Sequence, residues 1–207
     1  MTHIRHSEKV FNMKRLLLIL ILTLCFQSSS MADDIRDFQI EGMSIGDTLL
    51  QFVTNEEIDL SENNSSIMKD KKGKERFIII FLDTIPSQEY EDLQITYKIN
   101  DKNYIIHAID GGINFPDDFE KCKNKKKEVV IDLENVFTKI KPRNFEGKHN
   151  ADESGESIHN STYFDLSDGT VHIWCTLWGD KVNYADGLTV SLRSKNYTNF
   201  LQRENSY

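Results

Sequence analysis

Behind Met13-Lys14-Arg15 runs an apolar segment, Leu16 to Phe26, eleven residues long and interrupted only by Thr23. A helix that crosses a bilayer needs about 20 apolar residues, so this one is too short to stay as an anchor. A basic flank, a short apolar run and an exit through small residues are the three parts of a secretory signal peptide. The exit here is Ser30-Met31-Ala32, which assigns residues 1–32 to the signal and places the mature start at Asp33. Residues 1–12 make the basic flank unusually long, and Met13 is an alternative start. Lipidation at Cys25 is the poorer reading, because such sites want a small preceding residue and Leu24 is large. A core helix in an uncleaved protein would leave the basic flank and the serine-rich exit unexplained. The expected location is periplasmic or secreted, with no integral membrane segment in the mature chain.

Export decides how much chain is left to fold and with what chemistry. The 207 residues include 25 basic and 33 acidic ones; without residues 1–32 there remain 21 and 32, a net charge of −11. That opposes binding to nucleic acid or anionic membrane, both of which need clustered positive charge. Cys25 leaves with the signal, so Cys122 and Cys175 remain. In an oxidising compartment an even pair reads as a disulfide, and the absence of C-x-x-C argues against a redox pair. Residues 33–207 suit a single domain: prolines are few and no repeat or linker divides them.

Along that domain, Asp33 to Glu41 is a short lead-in. Ser44 to Val53 is expected as a helix, with Ile45, Leu49, Phe52 and Val53 on one face and Ser44 and Asp47 as a capping box. Residues 59–75 read as a solvated loop, and Phe77 to Leu82 as a strand buried on both faces. Leu93 to Asn100 and Asn103 to Asp110 form a hairpin turning at Asp101-Lys102 and ended by Gly111-Gly112. Pro116 opens the longest helix, whose apolar face (Phe119, Cys122, Val129, Val130, Leu133, Val136, Phe137, Ile140) runs almost to Pro142. Residues 144–161 read as a second polar loop. Thr162–Leu166 and Thr170–Trp178 make another hairpin, Leu188–Leu192 a last strand, and Ser194 caps a short terminal helix. The predicted fold is α+β: a largely antiparallel sheet of five to six strands covered by one long helix and two short ones.

Several patterns resemble catalytic or metal chemistry. Gly42-Met43-Ser44-Ile45-Gly46 matches the G-x-S-x-G nucleophile elbow, but several βα units precede that elbow in its fold and only 11 mature residues precede Ser44. His149, Asp152, Glu153, Glu156 and His159 crowd one loop with side chains that bind divalent metals, yet their spacing fits no helical H-E-x-x-H. His107, alternating with Ile105 and Ile109, reads as a packed, hydrogen-bonded strand residue. Asp165, Asp168 and Gly169 lack the third acidic ligand of a calcium loop and make a turn. Lys121, Lys123, Lys125, Lys126 and Lys127 read as the solvated side of the long helix. One feature favours binding: His172, Trp174 and Trp178 fall on one face of a strand, opposite Val171, Ile173, Cys175 and Leu177. Two tryptophans beside a histidine can form a ligand wall or a partner hot spot, and the competing reading is a second core layer.

The stretch Phe38-Gln-Ile-Glu-Gly-Met-Ser-Ile-Gly-Asp-Thr-Leu-Leu50 resembles the opening of a set of small exported proteins of AT-rich bacterial genomes. In those an Ile-Glu-Gly-Met-Ser-Ile-Gly-Asp segment follows the signal, and a mid-chain Cys is matched by one in a late aromatic strand. The resemblance implies the boundary near residue 33 and the Cys122–Cys175 pairing, and lends no activity. Glu41-Gly-Met-Ser, followed by a helix and strands, is also similar to small periplasmic lipoproteins that assist outer-membrane barrel assembly, without their lipidated Cys. That similarity points toward a binding role.

Together these readings give an exported binding or interaction protein without catalysis or cofactor, its site at His172, Trp174 and Trp178. Its partner is a protein or a small molecule. The rival is a secreted metal-dependent hydrolase using residues 149–159.

Overall fold

The computed structural model describes residues 34–85, 87, 89–149 and 152–204. The expected signal peptide, Met13, Cys25 and the mature start at Asp33 lie outside the described residues.

Eight strands form one antiparallel sheet: β1 (Ser66–Lys69), β2 (Glu75–Phe81), β3 (Asp92–Lys98), β4 (Ala108–Asn114), β5 (Arg143–Lys148), β6 (Ile158–Asp165), β7 (Gly169–Leu177) and β8 (Gly187–Ser194). Their order is β1-β2-β3-β4-β8-β7-β6-β5, two four-stranded meanders joined where β4 pairs with β8. The α+β class stands, but a sheet of five to six strands is too small. The two additional strands, β1 and β5, are the sheet's edges, and both lie in segments expected as polar loops. Their residues are mostly exposed, so no apolar alternation marks them; backbone pairing to β2 and β6 makes them strands.

Among the described residues three helices accompany the sheet: α1 (Asn55–Glu62), α2 (Phe119–Val136) and α3 (Lys195–Glu204). α1 begins at a capping box, with Thr54 N–H donating to Glu57 and the Thr54 hydroxyl accepting Glu57 N–H. It replaces the helix expected over 44–53. Gly42 and Gly46 there sit at φ 79° and 94°, the left-handed region that breaks a right-handed helix. Gly46 N–H and Leu49 N–H donate instead to the carbonyls of Ile106 and Tyr104, and only Leu49–Gln51 makes a 3-10 turn. The buried set was nevertheless legible, since Ile45, Leu49 and Val53 all face the core.

One face of the sheet, the core face, is thickly covered. Ile78, Ile80, Ile95, Ile109, Val171, Ile173, Leu188 and Leu192 project from it and pack with Ile58 of α1, Cys122 of α2, and Ile35, Met43 and Leu49 of the N-terminal segment. Cys122 and Cys175 form the expected disulfide between α2 and β7, with Cα atoms 6.0 Å apart. On the other, outer face α3 packs its Tyr197 and Phe200 against Phe77 and Ala108. Ser194 caps α3 by accepting Tyr197 N–H. Burial of Phe77–Leu82 on both faces is therefore only partial: α3 shelters Phe77 but leaves Phe81 40% exposed.

The second hairpin also differs. Asn100 and Tyr104 adopt positive φ, residues 101–107 form an irregular excursion held by Asp101, and β4 starts only at Ala108. Gly111-Gly112 lies inside β4 rather than ending it, because a ring and a carboxylate must cross the strand there. A methyl group on Gly111 would sit 2.5 Å from Tyr90 Cδ1, and one on Gly112 would run into the Asp92 carboxylate. Gly111→Ala is thus expected to cost on the order of 1–3 kcal/mol, measured by urea unfolding.

Candidate functional site

The outer face beyond α3 carries the residues singled out from the sequence. Register sets them in rows across the sheet. Asp110, Ser191, His172, Tyr163 and Arg143 are successive neighbours across β4, β8, β7, β6 and β5, and beside them run Thr189, Trp174, Ser161 and Phe145. His172 and Trp174 do come together, with ring centroids 4.2 Å apart and nearly parallel. Tyr163 stacks on the other side of His172 at 3.9 Å. A guanidinium closes each end: Arg143 lies 4.3 Å over Tyr163 and Arg193 5.1 Å over Trp174. Such cation–π contacts favour arginine lying flat on the ring.

This stack changes what the aromatic residues can offer. The two faces of His172 are taken by Tyr163 and Trp174, and the outer faces of those rings by arginines, so the stack presents ring edges and guanidinium rims. His172 is 5% exposed, and neither ring nitrogen has a hydrogen-bond partner among the described residues. Burial, with the positive charge of Arg193 next, holds its pKa well below the ordinary histidine value. Arg193 Nε donates to Ser191 Oγ, and its Nη2 lies 4.0 Å from Asp110, whose carboxyl is pushed up by burial.

Trp178 stands apart from the stack and joins the loop residues instead. Its ring packs against His149 at 4.5 Å and Tyr184 at 4.9 Å. His149 in turn meets His159 at 5.1 Å, and His159 lies 6.0 Å from His172. The aromatic strand and the His-containing loop, two separate features in the sequence, thus form one continuous chain of rings from Tyr163 to Tyr184. His159 contacts the hydroxyls of Thr176 and Ser161, and burial lowers its pKa to about 4.

Two of the three acidic side chains of that loop are engaged, Asp152 inward and Glu156 with a lysine. Asp152 accepts hydrogen bonds from Ser154 N–H and hydroxyl, Glu156 N–H, and Ser157 N–H and hydroxyl, which hold its carboxyl far below the usual range. Glu156 pairs with Lys181 and Glu153 is exposed. Among the described residues no three His, Cys, Asp or Glu side chains are placed to hold a metal ion.

No protein-family model, curated protein or solved structure matches this chain. Any function must therefore be argued from its own residues.

The other sequence features resolve into structural roles. Ser44 is buried and its hydroxyl donates to Phe38 O, while Asp47 accepts Ser44 N–H; Ser44 is a turn residue, not the expected N-cap. His107 bonds Ser194 through Nδ1 at 2.9 Å, and burial lowers its pKa to about 4. Asp168 accepts Ile35 N–H, and Asp165 pairs with Arg143. In the lysine run, Lys123 pairs with Glu120 and Lys125 with Glu128. Lys126 departs from the solvated reading: it is buried, and its Nζ donates to Asn160 Oδ1 at 2.7 Å. No described helix is long and apolar enough to cross a membrane.

Tyr163, Arg143, Arg193, Phe145 and Tyr184 were not read from the sequence. Tyr163 had a usable signal, since a hairpin turning around residues 167–168 places it directly opposite His172.

Proposed function

We propose that this is an exported, non-catalytic binding protein of the periplasm or the extracellular space, and that it holds its partner on the outer face around Trp178. One observation carries this reading: on the outer face beyond α3, Tyr184 is 68% exposed and packs on the half-buried Trp178, and Phe145 of the edge strand is 50% exposed. Aromatic side chains exposed beside a rigid sheet are the usual anchors of protein interfaces. The Cys122–Cys175 disulfide supports an oxidising compartment, where such bonds persist. His172 and Trp174 then act by holding the ring chain in place, and Trp178, Tyr184 and Phe145 make the contacts. The rival, a metal-dependent hydrolase on residues 149–159, has less support, because loop hydrogen bonds occupy both Asp152 oxygens.

The two tryptophans separate these roles. Trp178→Ala is expected to leave urea unfolding within about 1 kcal/mol of the parent, whereas Trp174→Ala opens the stack and costs roughly 3 kcal/mol. Photo-crosslinkers placed at 145, 178 and 184 in the exporting cell should give discrete adducts. One placed at Leu60, 63% exposed on α1, should give none. Equal labelling from all four positions would remove the outer face as the site.

A further inference from the structure

The two edges of the sheet differ in their defences against further pairing. β1 is four residues long, its register breaks between Met68 and Lys69, and the chain just beyond is tied to α3 by Lys71 N–H donating to Glu204. Shortness, a bulge and a lysine are devices that keep a sheet edge from accepting another strand. β5 carries charged residues too, in Arg143, Glu146 and Lys148, but it has neither bulge nor internal proline. All six of its residues pair in unbroken register with β6, and five of the six are exposed. It presents a regular row of backbone donors and acceptors with no partner strand on its outer side among the described residues.

We propose that β5 is the interface between two copies of this chain, pairing antiparallel with itself about a two-fold axis at Phe145. A two-fold axis normal to the sheet keeps outer face beside outer face, so each residue meets a residue of its own face. Three central registers satisfy that condition. Centring on Glu146 sets two carboxylates directly opposite each other, which is unfavourable. Centring on Asn144 brings Arg143 against Phe145, but Arg143 is already held by Asp165 and the Tyr163 ring. Centring on Phe145 pairs the two phenylalanines and sets each Asn144 opposite Glu146 of the second copy.

The side-chain bonds already made leave the right groups free for that register. Asn144 uses its carbonyl oxygen to accept from Thr162, which leaves its amide N–H donors. Glu146 accepts from Asn160 through Oε2, which leaves Oε1. Two reciprocal Asn144–Glu146 bonds, a Phe145 pair and a shared backbone ladder then form one interface. Arg143 lies opposite Gly147, which has no side chain of its own and is covered by the Phe145 ring. The sheet becomes continuous across both copies, and their outer faces lie side by side. This inference rests on the edge strand and shares Phe145 with the proposed binding face, so a cross-link from position 145 to a second copy reports the seam, whereas cross-links from 178 and 184 report the partner.

Sedimentation of the purified protein from about 1 μM to about 1 mM is expected to show a monomer–dimer equilibrium. Asn144→Lys, which sets an ammonium opposite Glu146, should tighten it about tenfold, and Asn144→Asp should weaken it by a similar factor. Phe145→Cys should be captured as a covalent dimer by a short bis-maleimide cross-linker, because opposed residues in an antiparallel pair have Cβ atoms about 4.5–5.5 Å apart. Circular dichroism checks that each exposed-edge variant folds. A monomer at every concentration overturns the proposal. So does a dimer indifferent to both Asn144 variants and without the Phe145→Cys cross-link, which would place the interface elsewhere.

Discussion

Replacing Cys122 and Cys175 together with alanine is expected to lower the unfolding free energy by about 4 kcal/mol. The bridge spans 53 residues, and closing a loop of that length removes much of the freedom of the unfolded chain. Both sulfurs lie in the core, at 1% and 0% exposure. The bridge matters more here because α2 docks thinly: of its eighteen residues only Cys122 and Lys126 are buried, while Ile131 and Val136 stay exposed. Loss of the bridge should therefore do more than shift a midpoint. Amide exchange in α2 is expected to accelerate before exchange in β7 and β8, which are held from both sides by neighbouring strands. Urea unfolding of the double variant gives the magnitude, and exchange measured by mass spectrometry gives the location. A change below about 1 kcal/mol would show that the packing of Phe137, Val129 and Leu133 holds α2 unaided.

The disulfide was legible because it follows from a count and an expected compartment, and neither needs three-dimensional detail. Elements that bury an apolar stripe were legible for a related reason. β7 alternates between Val171-Ile173-Cys175 and His172-Trp174-Thr176, and that alternation is a direct image of a sheet with two different faces. Edge strands leave no such image, since β5 reads Arg-Asn-Phe-Glu-Gly-Lys and its pairing is a property of the backbone. The helix expected at 44–53 failed through a different competition. Its apolar spacing correctly marked burial, but burial at every fourth residue does not require a helix when Gly46 is left-handed and its N–H bonds another segment.

The site was legible strand by strand and illegible across strands. His172, Trp174 and Trp178 were placed on one face by alternation alone. Whether their rings were free depended on what stood opposite: Tyr163 from β6, Arg143 from β5 and Arg193 from β8. The link between Trp178 and His149 depended on a loop folding back, and that fold is organised by Asp152, a residue whose acidity pointed toward metal instead.

Acidification is expected to weaken this fold between about pH 6.5 and about pH 4, ahead of general carboxylate protonation. Burial lowers the pKa of His172 well below the ordinary value, and those of His159 and His107 to about 4. Below about pH 6.5 the unfolded chain therefore binds protons that the folded chain refuses, so stability is full above that pH and falls as pH drops toward the folded values. The surroundings of His172 reinforce the sign. Arg193 from β8, Arg143 from β5, His159 from β6 and Lys126 from α2 all oppose a positive charge there, and Asp110 is the nearest counter-charge on the same row. Asp92, Asp110 and Asp168 run the other way, because their raised values favour the folded state as they protonate. Asp34 and Asp152 contribute losses only at still lower pH. His172→Phe isolates the central term. It keeps a flat ring between Tyr163 and Trp174 and removes two buried nitrogens that have no hydrogen-bond partner among the described residues. The variant is expected to gain about 1 kcal/mol at pH 7 and to lose less stability than the parent on going to about pH 4.5. Urea unfolding at both pH values measures the two effects together. A variant less stable at pH 7 with an unchanged slope would mean that the nitrogens of His172 are bonded and that its charge is not what acid exploits.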